Sequence, residues 1–430
     1  MRAGLGLALS LVVLALPAGS AAEPTWLPSL VLSPVGQDSN LPQVASDRAG
    51  DVFVVWQRYN GVNEVVDSIH RPAGGAWAAP HEFSIVGQTL SGPQIAVNPA
   101  GDAVAVWTRW AGANTVVQAA RRPAGGDLSD AQDISVLAED SGAPKVAVDP
   151  SGTATAIWEA RSGSTSVVET SRQPAGGSWS APEIVSAAGS EAEAPDLAVD
   201  AAGNATAVWE RSAAGSNWIV QAASRPADGS WSAPQDLSTE AVLLVPKVAV
   251  DRAGDAVAVW LRSTWVVRAS ERPAGGSWGA PRSLSGGEAS QPEVAMGSAR
   301  DAVAVWARFD GANQIVQARR RAARGGWRTQ VDLSAKGQDA RAPQVALDDA
   351  GSAVAVWVRF NDAGKQIVQT ARQSEPEAWD TTHDLSPPGG DAGDPQVPSI
   401  RLETRLRPGM SPMSRTRTWR QPVSTQPART

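Results

Sequence analysis

The chain has 430 residues, a formal net charge of −7 and no cysteine, which excludes a disulfide framework, a thiolate metal site and a cysteine nucleophile. The acidic balance argues against nucleic acid as a partner. Eighteen Trp against one Tyr and four Phe point to one Trp-bearing motif copied many times.

Met1 and Arg2 open a short basic stretch, Leu5 to Leu16 is apolar, and Pro17 leads into small residues from Ala18 to Ala22. That order predicts a signal peptide over residues 1–22, and hence a secreted, extracellular protein. The apolar run is shorter than the about 20 residues a bilayer needs, and no later segment is apolar enough, so no membrane span is expected.

Next comes Trp26 to Ser33, WLPSLVLS, and then a repeat begins. A Trp closes an alternating small-apolar run at Trp56, Trp107, Trp158, Trp209, Trp260, Trp306 and Trp357, with spacings of 51, 51, 51, 51, 46 and 51 residues. A second Trp series sits in the phrase GGxW or a close variant, at Trp77, Trp179, Trp231, Trp278, Trp327 and Trp379, with Leu128 in the second copy.

The fourth unit shows the internal plan. Asp196 to Asp200 reads as a first strand, Thr206 to Arg211 as a second, Trp218 to Ser224 as a third and Trp231 to Leu237 as a fourth, each bounded by turn residues. Runs such as AVAVW are apolar at consecutive positions, which predicts burial on both faces. Stacking four-stranded meanders around an axis satisfies them and leaves only short edges. The expected fold is all-β: a β-propeller of four-stranded antiparallel blades over residues 23–397, with seven complete repeats of about 51 residues and the start of an eighth. An open, solenoid-like array of the same sheets is the alternative.

WLPSLVLS matches the fourth-strand phrase WSAPQDLS at Trp231 to Ser238, so the chain opens on an orphan outer strand that calls for the other strands of its blade at the far end. An eighth unit does start at Asp394-Pro395-Gln396-Val397 and then breaks off. From Arg401 onward there are seven Arg and one acid, so subtracting +6 from −7 leaves −13 for residues 1–400. Codons chosen from the degenerate set for Pro398 to Gly409, read with one extra preceding base, encode AVDPAGDAVAAW, the missing continuation with its Trp in register. Residues 398–430 thus read as a frameshift product, with a natural basic disordered tail as the alternative.

In such a blade the loops joining strands two to three, and strand four to the next strand one, emerge at one end, and these are the loops that vary. They carry Tyr59, Trp110, Phe309 and Phe360, with Trp218 and Trp265 as further stacking candidates, and the acids Glu139, Asp140, Glu191, Glu193, Glu240 and Glu288. Arginines follow the second-strand Trp at Arg58, Arg109, Arg211, Arg262, Arg308 and Arg359, with Arg161 one place later in the third unit. They could bind carboxylate or sulfate groups bidentately, or stack and pair inside their own repeat. Turns such as Asp251 to Asp255 offer too few carboxylates for calcium and read as hairpin turns. His70, His81 and His383 are too scattered for a metal cluster or a triad, and no cofactor motif is present, so no metal and no cofactor are expected.

The phrase RPAGGSWSAP and its variants resemble the Asp-box of sialidase-like propellers, SxDxGxxW, through Gly177 and Trp179, Gly229 and Trp231, and Gly276 and Trp278, with Ala generally at the Asp position. The repeat as a whole is similar to those of exported bacterial propellers. The resemblance implies the fold. Sialidases also need an arginine triad, a Tyr–Glu nucleophile pair and an acid, of which only Tyr59 has a counterpart here, so no catalytic residue carries over. Two functions stay open: a non-catalytic, monomeric propeller that binds a glycan or a protein through the varied loops, and a glycan-acting enzyme with paired acids on the same face.

Overall fold

Small side chains on both sides of a strand let two neighbours approach it at once, and this sets the architecture. In the computed structural model, which describes residues 10–11, 26, 28–34, 36–83, 88–163, 165–213, 217–323, 325–374, 378–386 and 392–398, seven four-stranded antiparallel sheets form the blades of a ring. Blade 1 spans residues 39–82, blade 2 90–133, blade 3 140–184, blade 4 192–236, blade 5 242–283, blade 6 289–332 and blade 7 340–384. The expected propeller is the observed one. The leader over 1–22 and the tail over 398–430 lie outside the described residues, apart from Ser10–Leu11 and Pro398. No helix among the described residues is long and apolar enough to cross a membrane.

The second strand of blade 2, Ala103–Trp110, shows how the blades stack. Val104 and Val106 pack into the cluster shared with blade 3, while Ala105 and Trp107 pack into the one shared with blade 1. All seven second-strand tryptophans are at most 1% exposed. Their indole N–H groups mostly bond across to the third strand, as in Trp107 to Gln118 at 3.0 Å and Trp306 to Gln317 at 3.1 Å. Replacing such a Trp by Ala costs about 3–5 kcal/mol in a packed core.

Two details of blade 4 differ from the expectation. Its fourth strand is only Gln235–Asp236, the two-residue length shared by the outer strands of all seven blades. Its first strand, Ala192–Val199, starts earlier than Asp196, because a bulge between Glu193 and Asp196 lets the chain pair on both sides of Pro195. In blades 2 to 7 the ladder beyond the short fourth strand is completed by the serine that follows it. Ser135, Ser186, Ser238, Ser285, Ser334 and Ser386 accept the N–H of Val117, Val168, Val220, Val267, Val316 and Val368 at 2.8–3.0 Å.

The DxAGD turns are hairpin turns held by their first residue. The Asp251 carboxylate accepts the backbone N–H of Ala253 and Asp255 at 2.9 and 3.0 Å, and Asp47, Asp200 and Asp348 hold their own turns in the same way. A Cβ on Gly254, at φ +93°, would lie 2.8 Å from Asp200 of the preceding blade, so glycine also lets adjacent turns touch.

The N-terminal phrase sits between blades 7 and 1. Trp26 packs on Val354, Val356, Val368 and Leu385 of blade 7 together with Val397, as Trp231 packs on blade 3. Leu32 packs on Trp56 and Trp77 of blade 1, as Leu237 packs on blade 5. Leu30–Val31 pairs with Ser10–Leu11 and with no blade strand among the described residues. Asp394, before Pro395, has φ 48°, matching Leu41, Ala143, Ala194, Gln291 and Ala342 before the prolines of complete blades. The eighth repeat therefore has its left-handed residue before the proline and its outer Trp in place. A chain that continues after Val397 with AVDPAGDAVAAW and a third strand copied from blade 7 is expected to melt several degrees higher than the present one. Equal or lower melting in a calorimetric scan would count against an eighth-blade slot.

Candidate functional site

The central channel is built from one position per repeat, the residue after the strand-one proline. Gln43, Gln94, Lys145, Asp196, Lys247, Glu293, Gln344 and Gln396 line a polar cavity of about 240 Å³. In blades 1 to 4, 6 and 7 a left-handed residue before the proline and a bulge beside it precede this side chain. Two lysines against one Asp and one Glu leave the ring neutral. Lys247 Nζ bonds Glu293 at 2.8 Å, Lys145 Nζ donates to Gln94 at 3.3 Å, and Asp196 accepts the Val248 N–H at 2.8 Å. Burial opposes the charge on both lysines. It pushes Lys145 down, whereas Glu293 and Asp196 outweigh it at Lys247, which is pushed up to about 12. These residues share no single chemistry in the sequence, and their one common signal is the place that follows each proline.

The varied loops do gather at one end. The N–H of Tyr59, Trp110, Phe309 and Phe360 donates to the carbonyl of Asp38, Thr89, Glu288 and Asp339, each in the segment that enters its blade's first strand. Tyr59 and Trp110 are 44% and 49% exposed, and Phe309 is exposed as well. Phe360 is half-buried under the Arg341 guanidinium at 5.0 Å. Trp218 is half-buried against the blade 4–blade 5 cluster. Trp265 is 50% exposed and has φ 58°, in the shortened loop between Arg262 and Val266. Positive φ is uncommon for a bulky residue, and glycine would fit this turn with less strain. On the Phe309 loop, the Asp310 carboxyl is held below its ordinary range by the N–H groups of Asn313 and Ala312.

The arginines after the second-strand Trp are largely tied within their blades. Arg58 is buried and bonds Asp67 and Glu82, each at 2.5 Å. Arg109 pairs with Asp133 at 2.5 Å, Arg211 with Asp236 at 3.2 Å and Arg262 with Glu240 at 2.7 Å. In blades 2 and 4 this closes a chain from the core to the rim, Trp to Gln to Asp to Arg, with Gln118 donating to Asp133 at 2.8 Å and Gln221 to Asp236 at 2.7 Å. Arg308 and Arg359 each keep a buried Nε without a hydrogen-bond partner among the described residues. Arg161 is exposed and reaches Ser166 at 3.4 Å.

One acidic grouping goes beyond the loop acids named from the sequence. Glu193, expected in a varied loop, lies in the first strand of blade 4 and faces Glu210 directly across strands one and two. Burial, reinforced by Glu193, pushes Glu210 up to about 7, and Glu159 of blade 3 is raised by burial and by the same Glu193. Glu210 and Glu159 follow their blade's Trp, where blades 1, 2, 5, 6 and 7 carry Gln57, Thr108, Leu261, Ala307 and Val358. That difference is the signal the sequence offers. No group of three or more metal-ligating side chains is assembled among the described residues.

No protein-family model and no curated protein sequence matches the chain. Among solved structures, it is similar to the BP39L lectin from Burkholderia pseudomallei, with 14% identity and a TM-score of 0.57 over 80% of this chain and 99% of the lectin. It is also similar to the polysaccharide lyase Uly1, with 11% identity and a TM-score of 0.51 over 80% of this chain and 90% of the lyase. The Hadza microbial sialidase Hz136 aligns at 12% identity and a TM-score of 0.41, over 63% of each chain. At such identities the likeness is one of fold, the propeller expected from the repeat.

Proposed function

We propose that this protein is an exported, monomeric propeller that binds a glycan on the face of varied loops without transforming it. The observation that carries the reading is the set of aromatic rings held out at that face, above all Trp265, kept at positive φ and half exposed where glycine would be easier. An outlier of this kind is retained where the side chain has work outside the fold. A flat ring accepts the apolar C–H face of a pyranose, and neighbouring loops supply hydrogen bonds to its hydroxyls. Tyr59, Trp110 and Phe309 extend the same face. The paired arginines brace the loops, since Arg58, Arg109, Arg211 and Arg262 already hold carboxylates. A lectin of the same fold supports the ligand class.

A glycan array probed with the full chain is expected to show discrete hits. Trp265→Gly and Trp110→Ala should each weaken the best hit about tenfold, the effect of losing roughly 1.4 kcal/mol at a stacking contact. Because glycine suits the turn, the Trp265 variant should melt no lower than the parent. Unchanged affinity in both variants would remove the aromatic face from the argument.

A second reading, a glycan-acting enzyme, draws on Glu210, whose carboxyl titrates near neutrality as a general acid must. Turnover of a glycan substrate that disappears in Glu210→Gln would favour it over simple binding. The same carboxyl makes a stability prediction independent of function. Its folded pKa lies above the unfolded one, so the native state holds the extra proton, and stability is lost as pH rises from about 4.5 to about 7. Urea melts of Glu210→Gln should lack that part of the decline. Parallel curves for parent and variant across this window would refute the assignment.

A further inference from the structure

The interface between blades 1 and 2 departs from the repeat at Leu128, which stands where the other six copies carry Trp. In blades 1, 4 and 5 a third-strand arginine stacks on that Trp: Arg71 over Trp77 at 5.3 Å, Arg225 over Trp231 at 5.2 Å and Arg272 over Trp278 at 5.4 Å. Arg122 is the counterpart of Arg71, 51 residues further on. Lacking an indole from its own repeat, its guanidinium lies 5.6 Å from the Phe53 ring of the neighbouring blade.

Beside it lies a cavity of about 240 Å³, walled by Phe53, His70, Phe83, Ala105, Arg122 and Leu128. The walls are flat and largely apolar. His70 stacks on Phe53 at 6.0 Å, and Phe83 leans on Trp107 at 4.6 Å. Burial and the nearby Arg122 charge push His70 down, so its imidazole is neutral at pH 7. An apolar protein cavity of about 150 Å³ takes up benzene, so one of this size has room for a second fused ring. A cationic guide is already in position, since a guanidinium attracts the face of an aromatic ring.

We propose that this cavity is a binding site for an uncharged, flat, two-ring aromatic molecule of indole size, which occupies the place of the indole that Leu128 does not supply. The site is separate from the loop-face reading and stands or falls without it. The probe is 5-fluoroindole, followed by its own ¹⁹F signal so that the protein's tryptophans do not interfere. With the full chain, the signal should broaden saturably and recover when unlabelled indole is added.

Leu128→Trp restores the repeat and should abolish the broadening while raising the melting midpoint. Arg122→Gln, which keeps the cavity open, should weaken binding severalfold and provides the test if the Trp variant fails to fold. Equal binding by parent and Leu128→Trp, unchanged binding by Arg122→Gln, or no broadening of millimolar probe by the parent would each overturn the proposal.

Discussion

Everything in this molecule depends on a strand that must be covered twice. A run such as Ala103 to Trp107 sends alternate side chains into two different interfaces, so no blade has a complete core until both neighbours are present. The alanines are as necessary as the tryptophans. Trp158 and Trp209 are fully enclosed because the clusters around them are built with Ala154, Ala156 and Ala160, or Ala192, Ala205 and Ala207, which let whole sheets approach. Native interiors are packed at crystal-like density, so a bulky residue at one of these positions would separate two blades and strain the ring.

The same constraint makes the junction between blades 7 and 1 the critical place. Two blade faces meet there without a complete four-stranded sheet between them, and the chain covers them from both of its ends. Trp26 and Val397 lie together on blade 7, while Leu32 closes the cluster of blade 1. Gln396 completes the eightfold set of channel side chains next to Gln344 and Gln43. The channel lining is thus contributed by eight repeats, while seven four-stranded sheets are formed among the described residues. The outer phrase and the Val397 segment are both fixed by packing on a neighbouring blade.

Much of this is legible in the amino-acid sequence. The repeat, the four-strand plan, the two-sided burial of the second strand and the end at which varied loops gather all follow from periodicity and turn chemistry, which are local. What the sequence does not disclose is set by neighbours. The serine that completes the ladder beyond the short fourth strand looks like an ordinary turn residue until its partner is seen. The channel set is hidden because Gln43, Lys145 and Glu293 are chemically unlike one another and share only a position after proline. The Glu193–Glu210 pairing needs the strand register, which a bulge between Glu193 and Asp196 shifts away from simple counting. The second-strand arginines suit either ligand binding or an internal role, and only their partners show the internal role of Arg58, held by Asp67 and Glu82, and of Arg109, held by Asp133.

A scaffold of near-identical units also changes where function should be sought. Positions that obey the repeat are explained by stacking and closure, so a side chain that departs from it needs a separate account. Leu128, Trp265, Glu210 and Lys145 are such departures, and each leaves something the consensus would not: an open cavity, an exposed ring on a strained turn, a carboxyl that titrates near neutrality, and a channel cation bonded to Gln94. Three of the four carry a physical cost. An enclosed amine without a bonded acid, a carboxyl facing another carboxyl and an indole at positive φ each sit above the energy of the consensus alternative. In a ring whose blades can otherwise be copied from one another, such costs persist most readily where the odd residue meets something that is not part of the ring.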